Sequence, residues 1–247
     1  MGRRRADREL KASVQESSLL GIDAIGLVKT FHARFSKVAY FYFKSYSPEP
    51  GVEERLDIRR VRTLAALSVK KLLEYHRDPR VLVAQMLRGT KINESKGLIE
   101  VRATELASAL PDLSRASKAR REVIAIYSLC RDKRGRELHI PMMDFRIESG
   151  SNIGQIALLK QALSTLEQKD GVLLDSGNSY HYYGFKLLSP KDWKRFMAAS
   201  LLLEPLVDVR YIAHRLLANK AALRLSAGGR KPKIPIVTEI LDSHVPF

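Results

Sequence analysis

Apolar residues recur along this chain with two different periods, and the changes of period mark out its elements. Between Phe35 and Ser45 the stretch FSKVAYFYFKS is dense in aromatic and β-branched residues and predicts a strand, closed by the turn signal SPEPG at 47–51. From Val52 to about His76 the positions Leu56, Ile58, Val61, Leu64, Leu67, Val69, Leu72 and Leu73 follow mostly helical spacing, with Arg55, Arg59, Arg60, Arg62, Lys70 and Lys71 between them. That pattern predicts one long amphipathic helix. GLIEVR at 97–102 predicts a short strand, and 103–120 one or two helices with basic ends. The apolar runs REVIAIYSLC (121–130) and LHIPMMDFRI (138–147) flank the charged turn RDKRGRE and predict a β-hairpin.

Residues 153–169 return to helical spacing, with Ile153, Ile156, Leu158, Leu159, Leu163 and Leu166 on the apolar side. GVLLD (171–175) and SYHYYGFKLL (179–188) predict two strands joined by a glycine turn. Pro190 suits the first turn of a helix that runs to about Leu203. After Pro205 come LVDVRYIAHRLL, the strand-like AALRLSA (221–227), the basic turn GGRKPK and IPIVTEIL (234–241). Strands and helices mixed in this order predict an α+β fold with helices against one face of a sheet. Residues 1–20 read as a polar, basic arm, 21–120 as a smaller N-terminal α/β or helical unit, and 121–247 as the main core.

Charge narrows the partners. Lys plus Arg total 43 against 27 Asp plus Glu, a net charge of +16 over 247 residues, while 45% hydrophobic residues are ordinary for a globular chain. Such a field attracts polyanions, so a phosphate-bearing partner, DNA or RNA or nucleotides, is expected over a small neutral substrate. A lone cysteine, Cys130, can build neither a disulfide framework nor a thiolate zinc site within the chain. No apolar run approaches the roughly 20 residues of a membrane span. Met1-Gly2-Arg3-Arg4-Arg5 is not followed by a signal-type apolar stretch, so the expected location is the cytoplasm or the nucleoid.

Three segments carry candidate chemistry. In Met142-Met143-Asp144-Phe145-Arg146-Ile147-Glu148, one carboxylate stands inside an apolar strand. An unpaired buried charge is strongly disfavoured, so Asp144 should face a polar cleft, the alternative being an exposed strand-end position. In Ser176-Gly177-Asn178-Ser179-Tyr180-His181-Tyr182-Tyr183-Gly184, strand alternation puts Ser179 and His181 on one face about 6–7 Å apart. A hydroxyl and an imidazole so placed make a phosphate clamp, with the turn amides as further anion donors; the bland alternative is a core histidine. The third segment runs from Asp208 through Arg210, His214 and Arg215 to Arg224 and Ser226, then Arg230, Lys231 and Lys233. It lines a phosphate-bearing groove or is simply a solvated charged face. Tyr180, Tyr182 and Tyr183 invite either base stacking or core packing. Ser179, His181 and Asp208 lack the nucleophile elbow of a hydrolase.

The order of these segments resembles the three-motif core of the archaeo-eukaryotic primase superfamily, over about residues 138–241. SGNSYHYYG is similar to the family's Ser-x-His motif and is the most specific part. The resemblance implies an RRM-like catalytic sheet preceded by a smaller α/β unit, and work in DNA replication or repair. It further implies that Asp144 and Asp208 are catalytic acids holding Mg or Mn, with Ser179 and His181 on the nucleotide phosphates. Arg224 and Lys231 fall in the family's basic, nucleotide-facing tail.

The chain departs from the pattern at one position. The family's first motif carries two acids, and here Asp144 is followed two residues on by Arg146. Two-metal phosphoryl transfer needs ions about 3.5–4 Å apart, and a cation beside Asp144 repels them. Glu148 lies on the same strand face but about 13 Å along it. The expectation is a single-Asp, primase-like protein in which Arg146 adds to phosphate binding and polymerase chemistry is lost or altered, within a larger nucleic-acid-processing or defence complex. An active metal-dependent primase-polymerase and an unrelated basic nucleic-acid-binding protein are the alternatives.

Overall fold

The structure is a computed structural model, which describes residues 18–47, 80, 98–148, 150, 153–228 and 231–241. The helix expected over 52–76 and most of the 1–20 arm lie outside these residues, as does Arg230.

Helix α1 (Ala24–Arg34) begins where the Asp23 carboxylate accepts a hydrogen bond from the Gly26 amide at 2.7 Å. Such a cap stabilises a helix by about 1 kcal/mol. Strand β1 (Val38–Tyr46) follows, starting three residues later than its aromatic pattern predicts because Phe35 still caps α1. β1 lies antiparallel between β2 (Ile99–Arg102) and β3 (Val123–Asp132), and β3 also carries β4 (Glu137–His139) and β8 (Ala222–Arg224). A short 3-10 turn at Ala103–Glu105 leads into α2 (Leu106–Ala119). Asp132 holds the turn between β3 and β4, accepting from the Arg134 and Arg136 amides and from the Arg136 guanidinium.

A second antiparallel sheet has the order β5-β7-β6-β9, built from Met142–Asp144, Tyr180–Gly184, Gly171–Asp175 and Ile236–Leu241. Helix α3 (Ile153–Thr165) connects β5 to β6 and is tied to β9 by a Lys160–Glu239 ion pair at 2.7 Å. Helices α4 (Pro190–Ser200) and α5 (Val209–Ala218) precede β8. The fold is therefore α+β with antiparallel sheets, as the element order predicts.

The expected hairpin is corrected by this topology. β3 and β4 do pair, Leu129 opposite His139, but the partnership ends there. Pro141 has no N–H to continue a ladder, and the edge of β3 that a returning strand would occupy is taken by β8, with Ala125 opposite Arg224. Released from the first sheet, Met142–Asp144 pairs with β7 in the second. That switch delivers Asp144 to the junction of the two sheets.

Phe31 of α1 knits the sheets together. It is fully buried, with its ring 6.1 Å from Phe41 of β1 and 6.2 Å from Tyr183 of β7. The stretches 21–120 and 121–247 thus share a sheet and a core. Among the described residues, no helix is long and apolar enough to cross a membrane.

Candidate nucleotide site

The sheet junction forms a cavity of about 260 Å³. Asp144 at the end of β5 and His181 on β7 enter it from the second sheet, where the ladder sets them directly opposite each other. From the first sheet come Lys44 and Tyr46 of β1, Ala125 of β3 and Arg224 of β8. Register explains that set: Lys44 pairs with Ala125, and Ala125 with Arg224, so one row across three strands places a cation either side of a small residue. Tyr211 and Arg215 of α5 and Lys231 complete the wall.

Ser179 lies just before β7 rather than within it, yet its hydroxyl donates to Asp144 Oδ1 at 3.2 Å and stands 3.1 Å from the Ser176 hydroxyl. His181 Nε2 is 3.8 Å from the same carboxylate oxygen, while its Nδ1 is buried without a hydrogen-bond partner. Burial, reinforced by Arg224 and Lys231, pushes the imidazole down to about 3, so it is neutral at physiological pH. The Asp144 side chain keeps 40% of its surface, opening on the cavity, but it sits deep between the sheets. Desolvation there pushes its carboxyl up to about 6, against the opposing pull of Ser179, Lys231 and Arg224.

Arg224 is buried, and burial lowers its affinity for its proton. Among the described residues no carboxylate pairs with it; its guanidinium donates to three backbone carbonyls, Ser226 and Lys233 through Nη1 and Ser176 through Nη2. Arg224 therefore clamps the 176–178 turn to the 231–233 stretch. Gly177 meets the same approach: at φ +93, an added Cβ would lie 2.9 Å from Lys233 Cβ. The turn amides are less available to an anion than the sequence suggests, because Gly177 N–H is committed to the Asp175 carboxylate at 2.6 Å.

Asp208 and Arg146 do not line the cavity. The Phe145–Val207 bridge sets Asp208 opposite Asp144 in register, and its charge helps raise the Asp144 pKa. Its Oδ1 caps α5, accepting from the Arg210 and Tyr211 amides at 3.0 and 3.1 Å. β5 has ended before Arg146, whose side chain is exposed and forms no ion pair with Asp144; Glu148 is exposed as well. Tyr180, Tyr182 and Tyr183 are all buried, so the stacking alternative gives way to core packing. Lys44 and Tyr46 were not singled out in the sequence; a lysine closing an otherwise apolar strand was their only signal.

The donor set does not fit the pair of divalent ions that the primase resemblance implies. Among the described residues, no three His, Cys, Asp or Glu side chains group as metal ligands, and one oxygen of Asp208 is committed to a helix cap. Among the described residues, four cations, Lys44, Arg215, Arg224 and Lys231, line the cavity with one carboxylate, Asp144. What the arrangement can do is hold an anion.

A family model described as archaeo-eukaryotic primase 1D-like matches residues 103–236, more than half of the chain, and the chain belongs to that family. No curated protein and no solved structure is matched. The matched span includes Asp144, Ser179, His181, Asp208, Arg224 and Lys231. β1, which supplies Lys44 and Tyr46, lies outside it.

Proposed function

We propose that the Asp144 cavity binds the phosphate groups of a nucleotide without performing two-metal nucleotidyl transfer. The observation that carries this reading is that, among the described residues, four cations face one carboxylate in a cavity that also offers the Ser179 hydroxyl and a neutral His181. Charge-assisted hydrogen bonds to phosphate are the strong kind, and Arg and Lys supply them here. At about 260 Å³ the cavity is smaller than the roughly 300–1,000 Å³ of whole-ligand pockets, so phosphates fit inside and the sugar and base remain at its mouth.

Calorimetric titration with a nucleoside triphosphate tests the reading. His181→Ala should weaken binding about tenfold, the worth of one charge-assisted hydrogen bond. A second reading, an active primase-polymerase, is favoured by the placement of Asp144 opposite Asp208. Primer synthesis on single-stranded templates with magnesium and manganese decides between them. Metal-dependent extension that Asp144→Ala abolishes would overturn the binding-only proposal.

A further inference from the structure

Arg224 does more in this fold than add charge to the cavity. It stands on β8, fixed to β3 by its pairing with Ala125 and by the Leu225 amide, which donates to the Ile124 carbonyl at 2.8 Å. Only 7% of it is exposed, although it lines the cavity. A guanidinium has five N–H groups in a rigid fork. Three of them here donate to backbone carbonyls, to Ser226 at 2.6 Å, Lys233 at 2.7 Å and Ser176 at 2.9 Å.

Those carbonyls belong to two separate parts of the chain. Ser226 and Lys233 lie on two short runs, 226–228 and 231–233, tied together where Gly228 and Lys231 exchange both backbone hydrogen bonds at 2.9 Å. The first run is anchored to β3 as well, since the Ile124 amide donates to the Ser226 hydroxyl at 3.0 Å. Lys231, on the second run, lines the cavity, and its charge acts on both Asp144 and His181. Ser176 opens the other part, a turn closed by its own amide on the Ser179 carbonyl at 2.8 Å. Its hydroxyl stands 3.1 Å from that of Ser179, which donates to Asp144. One buried side chain thus joins the run that carries Lys231 to the turn that carries Ser179.

The backbone at that joint is close-packed. Gly177 sits at φ +93, where an added Cβ would come within 2.9 Å of Lys233 Cβ, so the turn and the run approach as only glycine allows. A lysine in place of Arg224 would keep the charge but not the planar fork that reaches carbonyls on both sides.

We propose that Arg224 is a positioning residue: it holds Lys231 in place relative to Ser179, and those two residues, not Arg224, bond the phosphate. This inference rests on the phosphate-binding reading of the cavity. It departs from the direct nucleotide contact that the sequence resemblance implies for Arg224, because the guanidinium is committed to the backbone of the cavity wall.

Calorimetry of nucleoside triphosphate binding to the full chain, arranged as a double-mutant cycle, tests the assignment. Lys231→Met should weaken binding about tenfold, the worth of one charge-assisted hydrogen bond. Arg224→Lys keeps the charge and loses the fork, and should also weaken it about tenfold. The double variant should again be about tenfold weaker than wild type rather than about a hundredfold, since no Lys231 ammonium is left to be placed. A general folding defect would show in the binding stoichiometry and would not vanish in the Lys231→Met background. Gly177→Ala is the second probe: it removes neither a donor nor a charge but forces Lys233 from the turn. It should weaken binding a few-fold in the wild-type background and leave Lys231→Met unchanged. Multiplied losses in the cycle would overturn the proposal and make Arg224 a phosphate ligand; wild-type affinity in Arg224→Lys or in Gly177→Ala would overturn it too. A wild-type chain that binds no triphosphate would instead overturn the cavity reading, and this inference with it.

Discussion

His139 and His181 each have a serine nearby; the Nδ1 of His139 faces a hydroxyl, and that of His181 faces no polar partner. The His139 ring stacks on Trp193 at 4.5 Å, and its Nδ1 lies 3.2 Å from the Ser128 hydroxyl, which also accepts the Ala221 amide. His181 has a buried Nδ1 without a partner and an Nε2 that looks across 3.8 Å at a carboxylate in a cavity. Both rings are buried, and burial pushes both pKa values down, to about 4 and about 3. Burial and pKa therefore do not separate structure from function here. The distinction lies in what the polar atoms meet: at His139 desolvation is offset by stacking and a hydrogen bond, while at His181 it is not. A buried polar atom without a partner calls for an explanation, and the atom that faces the cavity is the other ring nitrogen, Nε2.

The contrast breaks most forcefully at its supports. Trp193→Ala should cost about 3–5 kcal/mol by emptying a fully buried site beneath His139, read by chemical denaturation, while the folded fraction still binds triphosphate. Arg224→Met should cost roughly 2–3 kcal/mol, since the carbonyls of Ser176, Ser226 and Lys233 lose their shared donor, and triphosphate binding should go with it. If that variant kept its affinity, the cation excess around Asp144 would not be the binding determinant. One step smaller, His139→Ala should lower stability by about 1–3 kcal/mol with unchanged binding, whereas His181→Ala should weaken binding about tenfold with little loss of stability. Equal effects of the two on affinity would erase the distinction.

Much of the site was legible because it is carried by short, local patterns. A carboxylate inside MMDF and a Ser-x-His beside a glycine turn can be found from period and composition alone, and the structure does bring Asp144, Ser179, His181, Arg224 and Lys231 to one cavity. What stayed hidden depends on long-range pairing. Lys44 enters the site only because β1 pairs with β3 and β3 with β8, a register that no local pattern encodes. The hairpin was misplaced for the same reason: LHIPMMDFRI reads as one strand, but Pro141 and the competing β8 divide it between two sheets. Arg146 follows from that division, because strand alternation stops applying once β5 ends at Asp144.

The smallest expected effects are in pH, and there the two residues of the cavity act in opposite directions. His181 is depressed to about 3 from an unfolded value near 6.5, so its contribution is complete above about 6.5 and is lost as pH falls towards 3. Asp144 is raised to about 6 from an unfolded value near 3.9, so the folded state holds its proton more tightly. Its contribution is present in acid, declines as pH rises from about 4 to about 6, and is level above that. In that window His181 makes stability climb with pH and Asp144 makes it fall. The two largely offset each other in wild type, so in denaturation curves across this window the pair's contribution to stability should rise with pH in Asp144→Asn and fall with pH in His181→Gln. With 40% of the Asp144 side chain exposed, solvent screening limits the change to the slope rather than to whether the chain folds. The same carboxylate repels a bound phosphate only when ionised. Asp144→Asn should thus bind triphosphate more tightly than wild type above about pH 6, and the gap should close below it. A gap that persists in acid would mean Asp144 acts on the ligand through something other than its charge.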